Sequence, residues 1–250
     1  MAGTAVRGRL TWQVAEVASV LPETPSVRTI VLEVPDWAGH RAGQHVDIRL
    51  TAEDGYSAER SYSIASAPGE PLSITVERLE DGEVSPYLTE ELRPDDEIEI
   101  RGPIGGYFVW DGGDDRPLLL LAGGSGIVPL RSIMRYRAQT GSHVRVRALY
   151  SSRSWTDVIY RDELDSYRQD GNADILYTLT RHQPSGWAGH TGRIDPAWLT
   201  EQAWPVNESP VAYVCGPTSF VEGVAETLVR LSYPAAAIKT ERFGASGGQK

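Results

Sequence analysis

The spacing of apolar residues changes once along this chain, and the change divides it into two parts that cannot share one architecture. In residues 27–34, 45–50, 72–79 and 97–101 apolar side chains recur at every second position, as in strands with one buried face. The one helix predicted in this part follows Ser85, with Pro86 in its first turn and Tyr87, Leu88 and Leu92 as its apolar stripe. An antiparallel barrel with one helix is expected. After the turn-rich stretch Asp111-Gly112-Gly113-Asp114-Asp115 the pattern becomes strand and helix in alternation. Strands are expected over 118–121, 144–150, 175–179 and 211–215, and helices over 129–139, 158–169, 196–202 and 218–231. Gly171 closes the second of these helices and Asp195 caps the third. Such alternation predicts a parallel sheet covered by helices on both faces. The expected domains are therefore residues 1–112, an antiparallel β-barrel, and residues 116–250, an α/β parallel-sheet domain.

Composition excludes several classes of function. A net charge of -10 over 250 residues argues against nucleic acid, whose binding needs clustered positive charge. The charge is uneven, however: residues 116–156 hold seven arginines and no acid, which predicts either a solvated face or an electropositive entrance for a phosphate or an acidic redox partner. The apolar run Leu118 to Ala122 is far shorter than the ~20 residues of a membrane span. Residues 1–13 lack the apolar core of a secretory signal, and the single cysteine forms no internal disulfide, so a cytoplasmic protein is expected. His40, His45, His143, His182 and His190 show no metal spacing and are expected as solvated or core residues.

Four short segments carry chemistry, and each has a plain structural reading beside the functional one. Arg60-Ser61-Tyr62-Ser63 fits an alternating strand, but it also offers a guanidinium for phosphate, a flat ring with a polar tip, and a short hydroxyl. Gly82-Glu83-Val84-Ser85 fits a turn with an N-cap, and equally a helix start that favours an anion. Gly123-Gly124-Ser125-Gly126-Ile127-Val128-Pro129 departs from the G-x-G-x-x-G dinucleotide fingerprint by ending in proline, which starts a helix without wasting an N–H. Cys215-Gly216-Pro217 ends a buried strand, where a lone cysteine can act simply as a small hydrophobe.

In this order and spacing the segments resemble the ferredoxin-NADP reductase superfamily, and the resemblance covers nearly the whole chain. It implies a six-stranded antiparallel barrel that binds FAD, followed by a parallel-sheet α/β nucleotide domain that binds NAD(P)H. Arg60 would pair with the flavin phosphate, Tyr62 would lie on one face of the ring, and Ser63 would bond near flavin N5. Ser61, Val76, Gly82, Val84 and Ser85 would complete the flavin site. Gly123, Gly124, Ser125, Gly126, Gly216 and Pro217 would approach the nicotinamide nucleotide, with Cys215 packed against the nicotinamide in an orienting role. Glu241-Arg242-Phe243 matches the family's E-x-aromatic segment, in which Glu241 helps hold the nicotinamide and Phe243 covers the other flavin face. Seven residues, Gly244 to Lys250, follow that aromatic, and Gly102 to Phe108 carries one residue more than the family's G-P-x-G-x-F turn. Ser152 and Arg153, after the second strand of the nucleotide domain, favour NADPH over NADH, with Arg181 and Arg193 as further phosphate partners. One cysteine cannot supply the roughly four thiolates of an iron–sulfur cluster, so the acceptor is expected in trans: a ferredoxin, haem or molybdenum protein. A free flavin reductase or diaphorase, an electron-transfer subunit of a larger complex, a binding module without chemistry, and FMN in place of FAD are the alternatives.

Overall fold

Among the described residues, 10–52 and 54–243 of a computed structural model, twelve strands form two six-stranded sheets. The ends of both predicted domains, residues 1–9 and 244–250, lie outside the described residues. The first sheet contains β1 (Gln13–Thr24), β2 (Val27–Glu33), β3 (His45–Thr51), β4 (Ser57–Ser63), β5 (Leu72–Glu77) and β6 (Glu97–Ile104). They pair antiparallel in the order β4-β3-β6-β1-β2-β5. A bridge between Ile64 and Ile74 brings the two edge strands together, so the sheet curls into a barrel around Ala15, Val17, Ile30, Val46, Ile48 and Ile74. Each large aliphatic side chain buried there contributes about 1.5–3 kcal/mol.

Two features of this half differ from expectation. The spacing does not predict β1, whose run carries Glu16, Ser19 and Pro22. Register shifts at Val17/Ser19 and Pro22/Thr24 absorb these interruptions while Ala15 and Val17 stay in the core. The helix after Ser85 is a single π-turn, Tyr87–Glu91, closed by the Leu92 amide on the Tyr87 carbonyl. Pro94 disfavours helical geometry at Arg93, and Leu92 is already extended, so no second turn forms.

The second sheet contains β7 (Leu118–Gly123), β8 (Val146–Ser154), β9 (Asp174–His182), β10 (His190–Thr191), β11 (Val211–Pro217) and β12 (Ile238–Phe243). All pairings are parallel, in the order β10-β9-β8-β7-β11-β12. Helices α1 (Ile127–Gln139), α2 (Arg161–Gln169), α3 (Pro196–Gln202) and α4 (Thr218–Arg230) cover it. Alternation along β7 sends Leu118 and Leu120 to one face with Ile133 and Tyr213, and Leu119 and Leu121 to the other with Val221 and Leu228. The Asp195 carboxylate accepts the Trp198 amide at 2.8 Å, as an N-cap should. α2 starts three residues later than expected. Val158 is extended and Tyr160 adopts φ 58°, a left-handed conformation that turns the chain before the helix begins.

The order of this sheet places the site. From β7 the chain crosses through α1 to β8 on one side, whereas β11 pairs with β7 on the other. A crevice opens at the carboxyl ends of strands where the order reverses. Gly123 ends β7 and Pro217 ends β11, so two of the singled-out segments meet at that crevice.

Candidate active site

The crevice is part of a cleft of about 1330 Å3 that runs between the barrel edge and the parallel sheet. That exceeds the ~300–1000 Å3 usual for one small ligand, as befits a site shared by two. Barrel residues on its wall are Arg60, Ser61, Tyr62, Ser63, Gly82, Val84 and Ser85. Facing them are Gly123, Gly124, Ser125, Ser152, Arg153, Arg181, Pro217, Glu241 and Phe243. Among the residues named here, the fold thus brings together segments separated by up to 183 residues in the chain (from Phe243 back to Arg60).

Four predicted residues stand behind this wall. Cys215 and Gly216 are buried in β11, and Gly126 packs directly on them: a Cβ at Gly126 would lie 2.0 Å from the Cys215 carbonyl oxygen. Burial, reinforced by Glu241, pushes the Cys215 thiol well above its usual range, so it stays neutral and packs. Val76 turns into the barrel core, and its neighbours Thr75 and Glu77 line the cleft in its place. Gly124 has φ 55°, which admits a glycine and strains other residues.

Ser63 and Glu241 face the cleft with unspent polar atoms. Ser63 is 4% exposed and its Oγ is buried without a hydrogen-bond partner; Glu241 Oε2 is likewise buried and unpartnered. Native proteins seldom leave such groups orphaned, and here both belong to residues that line the same cleft. Burial raises the Glu241 carboxyl to about 7, so this acid sits near half-ionisation at neutral pH. Ser61, in contrast, donates to Asp47 at 2.6 Å. The Ser85 hydroxyl accepts the Leu79 amide at 3.0 Å and so shapes the loop around Gly82. Because only a single π-turn follows, little helix dipole is available there for an anion. Arg60 pairs with Glu83 at 3.1 Å, and the Tyr56 hydroxyl also donates to Glu83 at 3.0 Å.

Several lining residues were not singled out in the sequence. His45, expected as a solvated or core residue, lines the cleft with Nδ1 3.7 Å from Glu241 Oε1. Burial lowers its pKa, so at neutral pH this is a contact between His45 in its neutral form and Glu241, not an ion pair. Phe220 also lines the cleft and covers the backbone of Gly123 and Gly216. Glu77 stands 3.6 Å from Arg153. No spacing rule flags these three, because each reaches the cleft only through strand or helix pairing. Of the seven arginines in residues 116–156, only Arg153 lines the cleft. Arg116, Arg131, Arg135, Arg145 and Arg147 pair with acids elsewhere, and Arg137 donates to the Val144 carbonyl, so of the expected electropositive entrance only Arg153 lines the cleft, where it joins Arg60, Arg181, Arg193 and Arg242 from outside that stretch. In the 102–108 turn, Phe108 packs edge-on against Tyr213 and Tyr107 donates to the Ile238 carbonyl; neither lines the cleft.

Comparison with known proteins agrees with this geometry. Residues 15–109 match the oxidoreductase FAD-binding domain and residues 120–226 the oxidoreductase NAD-binding domain. The chain is 35% identical over 241 residues to ferredoxin--NADP reductase B of Sorangium cellulosum, covering 92% of this chain and 96% of that protein. It is 33% identical over 234 residues to the glycine betaine monooxygenase reductase subunit of Chromohalobacter salexigens, covering 91% of this chain and 63% of that protein. The chain therefore spans less than two thirds of that longer relative. Its fold is that of the flavohem-like FAD/NAD-binding domain of the Vibrio cholerae nitric oxide dioxygenase, with a TM-score of 0.83 at 24% identity over 93% of this chain and 98% of that one. Two matched domains in this order, one relative similar over nearly its whole length, and a cleft built from both halves establish that the chain belongs to the ferredoxin-NADP reductase superfamily.

Proposed function

We propose that the chain is an NAD(P)H-dependent flavoprotein reductase that passes electrons to a separate acceptor protein, with residues 1–112 holding FAD and residues 116–250 the nicotinamide nucleotide. One observation carries the reading: Ser63 and Glu241, each with a buried polar atom that has no partner, line one cleft from opposite domains, beside Tyr62, Ser125 and Phe243. Bound FAD would take up a hydride from NAD(P)H and deliver electrons one or two at a time. The chain supplies position and polarity. Tyr62 and Phe243 offer flat apolar surface, and Arg60 offers charge for a phosphate. Ser63 presents a desolvated hydroxyl whose hydrogen bonding is still free, and Glu241 presents a carboxyl able to hold or release a proton near neutrality. Cys215, Gly216 and Gly126 form the close-packed floor that sets how near a nicotinamide can come.

We infer a preference for NADPH. Arg153, Arg181 and Arg193, near the carboxyl ends of β8 and β9 and just after β10, all line the cleft, and Arg153 is 60% exposed with only a 3.6 Å contact to Glu77. The acid nearest in sequence, Asp157, is held by the Ser154 hydroxyl at 2.6 Å. These 250 residues carry one thiol, too few for an iron–sulfur cluster of their own, so the electrons would leave the flavin for an acceptor outside these residues. The buried, unpaired Cys215 suits a reducing, cytoplasmic setting, and no helix among the described residues is long and apolar enough to cross a membrane.

Purified protein should be yellow, retain FAD tightly, and bleach on anaerobic addition of NADPH more readily than of NADH. Reoxidation by ferredoxin, cytochrome or ferricyanide completes the test. A protein that takes up no flavin overturns the reading, and one that releases FAD freely favours a flavin reductase instead.

A further inference from the structure

The two halves of the proposed site sit in different domains, so something must fix the gap between them. Helix α1 begins at the end of the Gly123–Gly126 loop, and one face of it is fastened to the barrel segment that continues from Ser63. The Ser132 hydroxyl, fully buried, donates to the Ser66 carbonyl at 2.6 Å. Arg131, 8% exposed, donates from Nη1 to the Ala65 carbonyl at 3.3 Å and from Nε to Glu163 at 2.8 Å. Its guanidinium also lies 4.2 Å from the centre of the Tyr160 ring, whose hydroxyl bonds to Thr75 on β5. One and two turns further on, Arg135 and Gln139 both donate to Glu70, each at 2.8 Å.

The spacing gives these contacts their meaning. Ala65 and Ser66 stand two and three residues after Ser63, and Arg131 and Ser132 stand six and seven after Ser125. Only short, hydrogen-bonded backbone therefore separates each half of the site from the fastening point. We propose that Ser132 and Arg131 are positioning residues for hydride transfer: by clamping α1 to residues 65–66 they set the gap between Ser63 and the Ser125 loop. The proposal rests on the reductase reading above. Neither side chain lines the cleft, so their effect reaches the chemistry only through geometry. Displacement of reacting groups by about 1 Å can slow a step by roughly a hundredfold.

Ser132→Ala, Arg131→Gln and the double variant test this in the full chain. The Ser66 carbonyl keeps its contact with His40 Nε2 at 3.0 Å, so Ser132→Ala leaves no orphaned acceptor. Dissociation constants for FAD and for NADPH should stay near parent values while the anaerobic rate of flavin reduction falls by about tenfold or more in the double variant. Arg131→Lys, which keeps the charge, should restore part of that rate. A readout without turnover comes from spin labels at Leu21→Cys and Val229→Cys, exposed sites on the barrel and on α4, in flavin-free protein; buried Cys215 escapes labelling. The inter-label distance distribution should be narrow in the parent and broad in the double variant. Parent-like reduction, or a distribution as narrow as the parent's, overturns the proposal. If the double variant does not fold, Ser132→Ala decides by the same two measurements. A parent that never takes up flavin refutes the reductase reading, and the label distances then still decide the clamp.

Discussion

Ser63, Glu241 and Arg60 each make a separate prediction, because each differs in what it does before any ligand arrives. The Ser63 hydroxyl has no partner to lose, so Ser63→Ala should leave the melting temperature of flavin-free protein unchanged or slightly raised. The same change should slow anaerobic flavin reduction by about a hundredfold if the hydroxyl acts at the reacting centre. Reduction at the parent rate in stopped flow makes Ser63 a bystander. Glu241 is buried at a cost. Its folded pKa of about 7 lies above the ordinary carboxylate value, so between pH ~4.5 and ~7 the native state holds more protons than the unfolded state. Stability of flavin-free protein should therefore fall as pH rises through that window, by up to about 3 kcal/mol, and level off above it. Glu241→Gln should flatten this slope; an unchanged slope in the variant assigns the pH dependence elsewhere. Arg60 already has an anionic partner in Glu83, but an exposed pair is worth only about 0–1 kcal/mol, whereas a charge-assisted bond to phosphate contributes about 1.5–3 kcal/mol. Arg60→Ala should weaken FAD and FMN by roughly ten- to a hundredfold and leave riboflavin, which has no phosphate, unaffected. Glu83→Gln should tighten both phosphorylated flavins by about fivefold at most. Equal losses for all three flavins would place Arg60 in the fold and not at the phosphate.

Among the elements, the loops after β7, β8 and β11 would carry the proposed nucleotide site, and their constraints are steric. At Gly126 an added Cβ would strike backbone on β11, which cannot rotate away as a side chain could. Gly126→Ala should destabilise the protein by about 1–3 kcal/mol and weaken nucleotide binding together with stability. A variant with parent stability and parent affinity would show that the α1 start and β11 separate at no cost. The end of β8 is different: Arg153 is exposed and loosely held, so its removal should spare the fold. Arg153→Ala should raise the KM for NADPH while leaving that for NADH nearly unchanged, and a parallel loss with both would move Arg153 to the shared diphosphate. The barrel strands are spaced legibly in sequence wherever apolar residues alternate, as in β3. Strand β1 is not, because its bulges shift the alternation by a residue and its pairing with β2 and β6 restores what the pattern loses.

At the scale of the whole molecule one hydrophobic cluster spans both parts, beside the separate core of the barrel. Val27, Ala42, Ala65 and Trp110 from the first part pack in the same cluster as Leu120, Ile133 and Tyr213 from the second. The Lys239 ammonium and the Tyr213 hydroxyl both bond to the Val109 carbonyl, across the boundary. Calorimetry of flavin-free protein should therefore show a single cooperative transition, not a barrel and a nucleotide domain melting apart. Two resolved transitions would refute this. Residue identity alone determined the class of each half and the chemistry each segment could offer, since periodicity, turn residues and functional groups are local properties; the order of the cofactors came from the resemblance to a known family. Only tertiary structure decided that His45, Glu77 and Phe220 border the cleft, that Val76, Gly126, Cys215 and Gly216 stand behind it, and that most of the arginines in residues 116–156 are spent on other acids. The physical reason is the same in each case: which face of a strand meets the cleft, and which charge finds a partner, is set by neighbours brought together by sheet pairing from distant parts of the chain.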